Sequence, residues 1–296
     1  MTTSKSPSAV ALVAYEVGCR TLTPWSHPCS PKKFTQPQLF ACLVLKAFFH
    51  TDYRGIVSII EEHVKLRQIL HLEIAVPHYT TLQKASRKLL QSKSAHRLMK
   101  SVLKLYAEIA PGERSTISLF DSTGFETEHA SSYFVWRKNS GNPDKTPLLF
   151  RKYPKLSLSS LPKIMMIVGG FVTRGPSTDM PYFERLLKTT CSYFTPQTVI
   201  ADAGYDREAN HVLASERHIE TIIPARAHCR GHFPKTPHRL RMKTDFPQER
   251  YGVRWHVETV MSMLKRNLGA RLFGQTFRSQ TRELSLKMLT HNCMVA

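Results

Sequence analysis

Residues 251–265, YGVRWHVETVMSMLK, are the stretch on which the reading of this chain turns. A Pro-containing loop precedes it and no Gly or Pro interrupts it after Gly252, so it is expected to be a helix. At about 100° per residue, Tyr251, Arg254, Glu258 and Lys265 fall within roughly 60° of one another. Val253, Val257, Val260 and Leu264 share a different face, apolar enough to pack on a core. One carboxylate thus sits in a row of cationic and phenolic groups on an anchored helix. Two readings stand side by side: an ordinary solvated Arg–Glu pair, or part of a site.

Composition weighs between them. The chain has 296 residues, enough for two domains or for one large domain with an appendage. With 42% hydrophobic and 22% charged residues it is globular and not disordered. Its 42 Lys and Arg against 22 Asp and Glu leave a net charge of +20. Such an excess destabilises the compact state by self-repulsion, and a polyanionic partner is the usual reason to carry it: nucleic acid first, an anionic membrane second. Residues 225–282 hold 13 Lys and Arg but only Asp245, Glu249 and Glu258, half of the whole surplus, and the opening helix lies inside them.

The six cysteines form no CxxC pair and no regular framework, and no signal peptide precedes them, so they read as reduced thiols of a cytoplasmic protein. His228, Cys229 and His232 lack a second half-site at finger-like spacing. The apolar run at residues 9–17 is too short to span a bilayer and is broken by Glu16.

Along the chain, residues 1–35 are rich in Ser, Thr and Pro and read as a loosely ordered lead-in. Residues 36–112 show helical periodicity, with Thr51 or Asp52 as an N-cap, a break at Pro77, and Thr80 or Thr81 capping a basic amphipathic helix. Helix, turn and Thr- and Lys-bearing helix are compatible with a helix-turn-helix in an all-α, DNA-binding domain. Pro111-Gly112 is the expected joint.

Beyond it, residues 113–296 read as an α/β domain. Strands are expected at residues 115–120, 133–136, 164–173, 198–201 and 220–224. A basic connection is expected at residues 137–163, holding Lys155 and Lys163, and a basic loop at 226–246. Helices are expected at 206–217, at 251–265, from an Asp179 cap to about residue 190, and, amphipathic, at 278–294. The order β-β-β-α-β-α-β-α implies a mixed sheet with helices on its faces.

Asp121 and Asp202 each follow an apolar strand and precede a Gly-bearing turn. The carboxyl ends of strands in an open α/β sheet are where ligands are held. A single such Asp is more often a turn former. Two of them, with Glu258 on the helix after the fifth strand, are three carboxylates that repel one another unless a cation sits among them. Mg²⁺ or Mn²⁺ take oxygen ligands, and two such ions about 4 Å apart can drive displacement at a phosphodiester. With a basic surface, the implied chemistry is phosphoryl transfer on nucleic acid.

At this point the chain resembles a known family. Asp121 in FDSTGF, Asp202 in ADAGYD and Glu258 in Y-x2-R-x3-E-x6-K are similar to the catalytic triad of the DDE insertion-sequence transposases, and the order of elements resembles a ribonuclease-H-like fold. The stretch FTQPQLFACLVLKAFFHTDYRG…VPHYTTLQKASRKL resembles the helical leader of that group, so the likeness covers about residues 34–294.

The resemblance implies that Asp121, Asp202 and Glu258 bind two divalent metal ions, Mg²⁺ or Mn²⁺. It implies that Arg254 and Lys265 meet DNA phosphates and Tyr251 packs or hydrogen-bonds near the scissile strand, on double-stranded DNA at transposon ends and target, in a dimer or higher multimer. Arg266 is a further expected DNA contact, and Arg137 and Lys138, on or after the second strand, read equally as DNA contacts or as a solvated strand end. The implied activity is nicking at the transposon end, followed by attack of a 3′-hydroxyl on target DNA. Only 55 residues separate Asp202 from Glu258, so a large β-rich insertion carried there by some relatives is absent and the use of a hairpin intermediate stays open. The chain stops at Ala296, where relatives often continue.

Other readings compete. A nuclease or junction resolvase on the same fold would keep the carboxylates but has no need of the Tyr-Arg-Lys row. A decayed copy that only binds DNA would be expected to have lost a carboxylate. A membrane-surface protein would need a long amphipathic helix with exposed aromatics.

Overall fold

Strand pairing around residues 117–124 organises the molecule, a computed structural model that describes residues 3–29, 31–112, 115–127, 153–226 and 234–296. Strand β1 (Ile117–Gly124) is the middle of a five-stranded mixed sheet. On one side it pairs antiparallel with β3 (Tyr153–Ser160), which pairs antiparallel with β4 (Ile167–Gly175). On the other side it pairs parallel with β5 (Thr198–Ala201), which pairs parallel with β6 (Glu220–Ile222). The order is β4-β3-β1-β5-β6, and two short strands, β2 (Glu126–Thr127) and β7 (Arg271–Leu272), pair separately.

Helices precede, cover and close this sheet. Before it come α1 (Pro7–Thr21), α2 (Gln36–Phe48), α3 (Tyr53–Glu62), α4 (Val64–Ile69), α5 (Tyr79–Leu89) and α6 (Ser92–Ile109). Within and after it come α7 (Phe183–Cys191), α8 (Glu208–Ser215), α9 (Pro237–Thr244), α10 (Gln248–Tyr251), α11 (Trp255–Leu268) and α12 (Phe277–Val295). A 3-10 turn at Gly252–Arg254 joins α10 to α11, so the decisive stretch is helical throughout but wound more tightly at its start.

Alternation along the strands divides the core in two. Leu119, Leu156, Leu158 and Ile200 face a large cluster shared with α1, α2, α6, α11 and α12, whereas Phe120, Val199 and Ala201 face a smaller one beneath α7 and α8. The six leading helices therefore share one apolar core with the sheet. Their hub is α12, where Leu284, Leu289, His291 and Asn292 are all fully buried. Asn292 works there as a clasp: Oδ1 accepts from the Ile167 N–H at 2.9 Å and Nδ2 donates to the Ile167 carbonyl at 2.7 Å.

Several expectations are corrected. The lead-in holds α1, which Ser6 caps by accepting from the Ala9 N–H and which buries Val10, Ala11, Ala14 and Val17; flanking Ser and Pro masked that apolar stripe. Asp52, not Thr51, caps α3. Thr80 and Thr81 lie inside α5, which starts after His78. The supposed basic connection contains β3, an interior strand whose Ser157, Ser159 and Ser160 are buried, and whose small polar residues hid its character. Lys155 is buried on β3 and pairs with Asp179 at 2.9 Å, so Asp179, although at the N-cap of a 3-10 turn (Met180–Tyr182), makes no side-chain capping bond; only Lys163 of the two lysines is exposed, in a turn.

The basic loop contains α9, and α12 is buried nearly all round along its second half instead of amphipathic. Strand β1 runs three residues past Asp121, because its pairing with β3 continues to Gly124. The expected strand at residues 133–136, the following Arg137 and Lys138, and His228, Cys229 and His232 lie outside the described residues. No described helix is long and apolar enough to cross a membrane. Among the described cysteines, all are free, and burial pushes Cys42 and Cys293 up to about 12.

The Asn292 clasp gives a direct test. Asn292→Ala strands a buried N–H and a buried carbonyl and should cost about 2–4 kcal/mol of stability, measured by urea unfolding; a loss under about 0.5 kcal/mol would contradict the clasp.

Candidate active site

The register of β1 against β5 builds the site. Phe120 is paired with Ala201, and Asp121 and Asp202 are the next residue on each strand. Neighbouring strands lie about 4.8 Å apart, so the two carboxylates start from adjacent backbone positions. Side chains alternate, so both follow Leu119 and Ile200 onto the face covered by α11, away from Phe120 and Ala201. Parallel pairing stops at Phe120 and Ala201, which leaves the Asp202 backbone free to turn. Its Oδ1 accepts from the Gly204 N–H at 2.9 Å, and a Cβ on Gly204 would come within 2.7 Å of that oxygen.

Helix α11 supplies the opposite wall. Val257, Val260 and Leu264 are fully buried and fix the helix on the core. Arg254 then reaches the sheet: Nη1 donates to Glu258 Oε1 at 2.6 Å, and Nη2 to Asp121 Oδ2 at 3.4 Å. One guanidinium thus joins two of the three acids. The Glu258 carboxylate is 58% exposed, and an exposed pair at this helical spacing contributes only about 0.3–0.5 kcal/mol. Glu258 is therefore weakly held.

The remaining residues of the row separate. Tyr251 packs edge-on against Phe246 at 5.0 Å; burial raises its hydroxyl, the Arg254 charge opposes that, and Asp202, Asp121 and Glu258 add to it. Lys265 stands apart, with its Nζ 5.5 Å from the centre of the Phe125 ring, and Arg266 is exposed. The helix is tied at both ends. Arg250 grips Glu220 on β6, while Asn267 meets Lys5, Thr3 and His50.

Burial dominates the electrostatics of Asp121. Burial, first of all, raises the Asp121 carboxyl from its ordinary 3.8 to about 6; the Ser122 N–H and Arg254 oppose this, and Asp202 and Asp179 add to it. Directly beneath, Tyr205 is fully buried and packs on Phe183, so it belongs to the core, as packing preference suggests. Burial and the charges of Asp179, Asp121 and Asp202 raise its hydroxyl well above the ordinary range. Asp179, whose charge adds to both shifts, is held by Lys155, which also donates to the Ser177 carbonyl at 2.6 Å; Lys155 alternates with Leu156 and Leu158, so this pair belongs to the opposite face of the sheet from Asp121. Sequence reasoning missed this pair. A lysine within alternating Leu and Ser was the available signal, since a charge inside a strand needs a buried partner.

Among the described residues no three His, Cys, Asp or Glu groups stand close enough to hold a metal ion. The donors nonetheless suit a hard divalent cation: all are carboxylate oxygens, two are adjacent, and a cationic guanidinium already occupies the space between Asp121 and Glu258.

A family profile, the transposase DDE domain, matches residues 112–293. The chain belongs to that family, the DDE transposases. No curated protein matches it. Among solved structures, a Mos1 transposase paired-end complex with left transposon end is 11% identical, covering 67% of this chain and 61% of that one, with a TM-score of 0.24. The chain thus spans less than two thirds of that protein's length. A pre-cleavage Mos1 transpososome is also 11% identical, covering 92% and 80%, with a TM-score of 0.25.

The Asp121 shift predicts a pH dependence. Between 3.8 and about 6 the folded chain keeps a proton that the unfolded chain has released, so stability falls as pH rises through that window. At about 1.4 kcal/mol per unit, Asp121→Asn should remove a penalty of about 3 kcal/mol at pH 7 and almost none at pH 3.5. Urea unfolding in chelator across this range measures it; parallel curves for the two proteins would refute the shift.

Proposed function

We propose that the chain is a DNA transposase that binds transposon ends, cleaves a strand there in a metal-dependent reaction, and transfers the 3′-hydroxyl to target DNA. The observation that carries this is the pair Asp121 and Asp202 on neighbouring parallel strands, facing a helix on which Arg254 links Asp121 to Glu258. The strand order β4-β3-β1-β5-β6, antiparallel on one side of β1 and parallel on the other, supports a ribonuclease-H-like catalytic unit.

In this reading Asp121, Asp202 and Glu258 hold two ions, Mg²⁺ or Mn²⁺. Two such ions supply an activated water or hydroxyl and stabilise the leaving oxygen of a phosphodiester. The chain's own groups do the rest. Glu258 swings from Arg254 toward the aspartates, and the freed Arg254 meets a backbone phosphate, to which its planar fork is suited. Asp121 gives up its proton to serve as a ligand, which a value of about 6 allows at neutral pH. Lys265 and Arg266 meet phosphates farther along the strand, Tyr251 packs beside the reacting strand, and Arg137 and Lys138 extend the basic track.

The leading helices, residues 36–112, form the DNA-binding portion. Helix α5 supports that role: Leu82, Ala85, Ser86 and Leu89 are buried while Gln83, Lys84, Arg87 and Lys88 form an exposed stripe. The assembly on DNA is a dimer or higher multimer, and the protein acts in the cytoplasm on chromosomal or plasmid DNA.

The test is cleavage mapping on linear DNA carrying candidate terminal inverted repeats, with Mg²⁺ or Mn²⁺. Nicks at the repeat ends that Glu258→Gln lowers at least 100-fold are expected. Cleavage indifferent to the repeats would favour a nuclease, and binding without cleavage a decayed copy.

A further inference from the structure

A cavity of about 270 Å³ opens at the outer edge of the sheet, between α8, α9 and the edge strand β6. It lies beside Glu220, at the start of the paired segment of β5 and β6, whereas Asp202 follows the end of β5. It is therefore at the opposite end of the strands from the carboxylates.

Its wall includes His211, which is 2% exposed. His211 Nδ1 is 2.6 Å from Thr221 Oγ1, and its Nε2 has no partner among the described residues. An unpartnered polar atom at that depth calls for a ligand or an ordered solvent group. The His238 ring lies parallel to His211 with centroids 5.8 Å apart, and His218, Arg241 and Ser215 complete the polar lining.

The cavity is cationic by construction. Glu220 is the one carboxylate among the residues that line it, and Arg250 holds both its oxygens, at 2.9 and 2.5 Å. Two other acids act on His211, and both are engaged. Asp206 is paired through both oxygens with Arg239 at 2.8 Å, and Glu208 accepts the backbone N–H groups of His238 and Arg239 at 3.1 Å. These contacts also strap α9 to α8, so the walls are preorganised.

A metal ion does not suit this lining, because its one carboxylate, Glu220, is held by Arg250 and the Nδ1 of His211 is taken by Thr221. A tetrahedral oxyanion does, since its acceptors spread over several ångströms and need donors rather than lone pairs. We infer that this cavity binds a phosphate group. Thr221 donates its hydroxyl proton to His211 Nδ1, which leaves Nε2–H as the buried donor to a phosphate oxygen. Burial keeps the imidazole neutral and so favours this arrangement. Arg241 supplies the charge at the rim. The phosphate belongs either to a DNA backbone or to a free ion or nucleotide, and the site does not depend on the catalytic reading of the carboxylates.

The test titrates inorganic phosphate into the full chain carrying ¹³C-labelled histidine, at constant ionic strength with chloride as control. The His238 imidazole signal, assigned by its loss in His238→Gln, should shift saturably with phosphate and not with chloride. Arg241→Ala, an exposed change that leaves the fold intact, should weaken that binding at least tenfold. Absence of a saturable shift, or an affinity unchanged in Arg241→Ala, overturns the inference. A short duplex added first distinguishes the sources: abolishing the phosphate shift identifies the DNA backbone, and leaving it in place identifies a free phosphate.

Discussion

The register of β1 against β5 is the constraint on which the site rests. Because strand side chains alternate, a slip of one residue would send Asp121 or Asp202 through to the face occupied by Phe120 and Ala201. That slip is costly on both faces. Phe120, Val199 and Ala201 would leave the cluster under α7 and α8, and Leu119 and Ile200 the larger core. Burial of ordinary aliphatic and aromatic residues thus sets the separation of two charged ones. Burial, far more than the neighbouring Asp202, then raises the Asp121 carboxyl, and Arg254 serves it as a local counter-charge.

The change of periodicity at residue 112 falls between the leading helices and β1. Those helices share an apolar core with the sheet, and α12 runs through its centre, clasped to β4 by Asn292. Residues from the first turn of the chain reach the end of α11 through Lys5 and Thr3.

Much of this was legible in the sequence where the signal is local. The β5 strand fell at residues 198–201 as read, because a four-residue apolar run ended by Asp-Ala-Gly has one sensible interpretation. The face of α11 that packs on the core was equally plain from the spacing of Val257, Val260 and Leu264. Strand β3 was not legible: its apolar residues are only Leu156 and Leu158, and its burial comes from neighbours on both sides, a tertiary effect that overrides propensity. Helix α1 was hidden by its Ser and Pro flanks, although those same residues start it. The pairing of Lys155 with Asp179 joins residues 24 apart and could not be read from either stretch alone. The pairing of Arg254 with Glu258 was readable from their spacing, but the reach of the same guanidinium to Asp121, 133 residues away, was not.

Helix α11 is fastened near both ends, by Arg250 on the β6 side and by Asn267 on the other, and its apolar face is sunk in the core. What is left with freedom in the middle is the Glu258 side chain, more than half exposed. Bringing the third acid to the other two is then a matter of rotating a few single bonds, which exposed side chains do in picoseconds to nanoseconds. Hinged domains that assemble a site by closure take microseconds to milliseconds for the same result. The Glu258 side chain therefore changes partners on a timescale that no domain closure reaches.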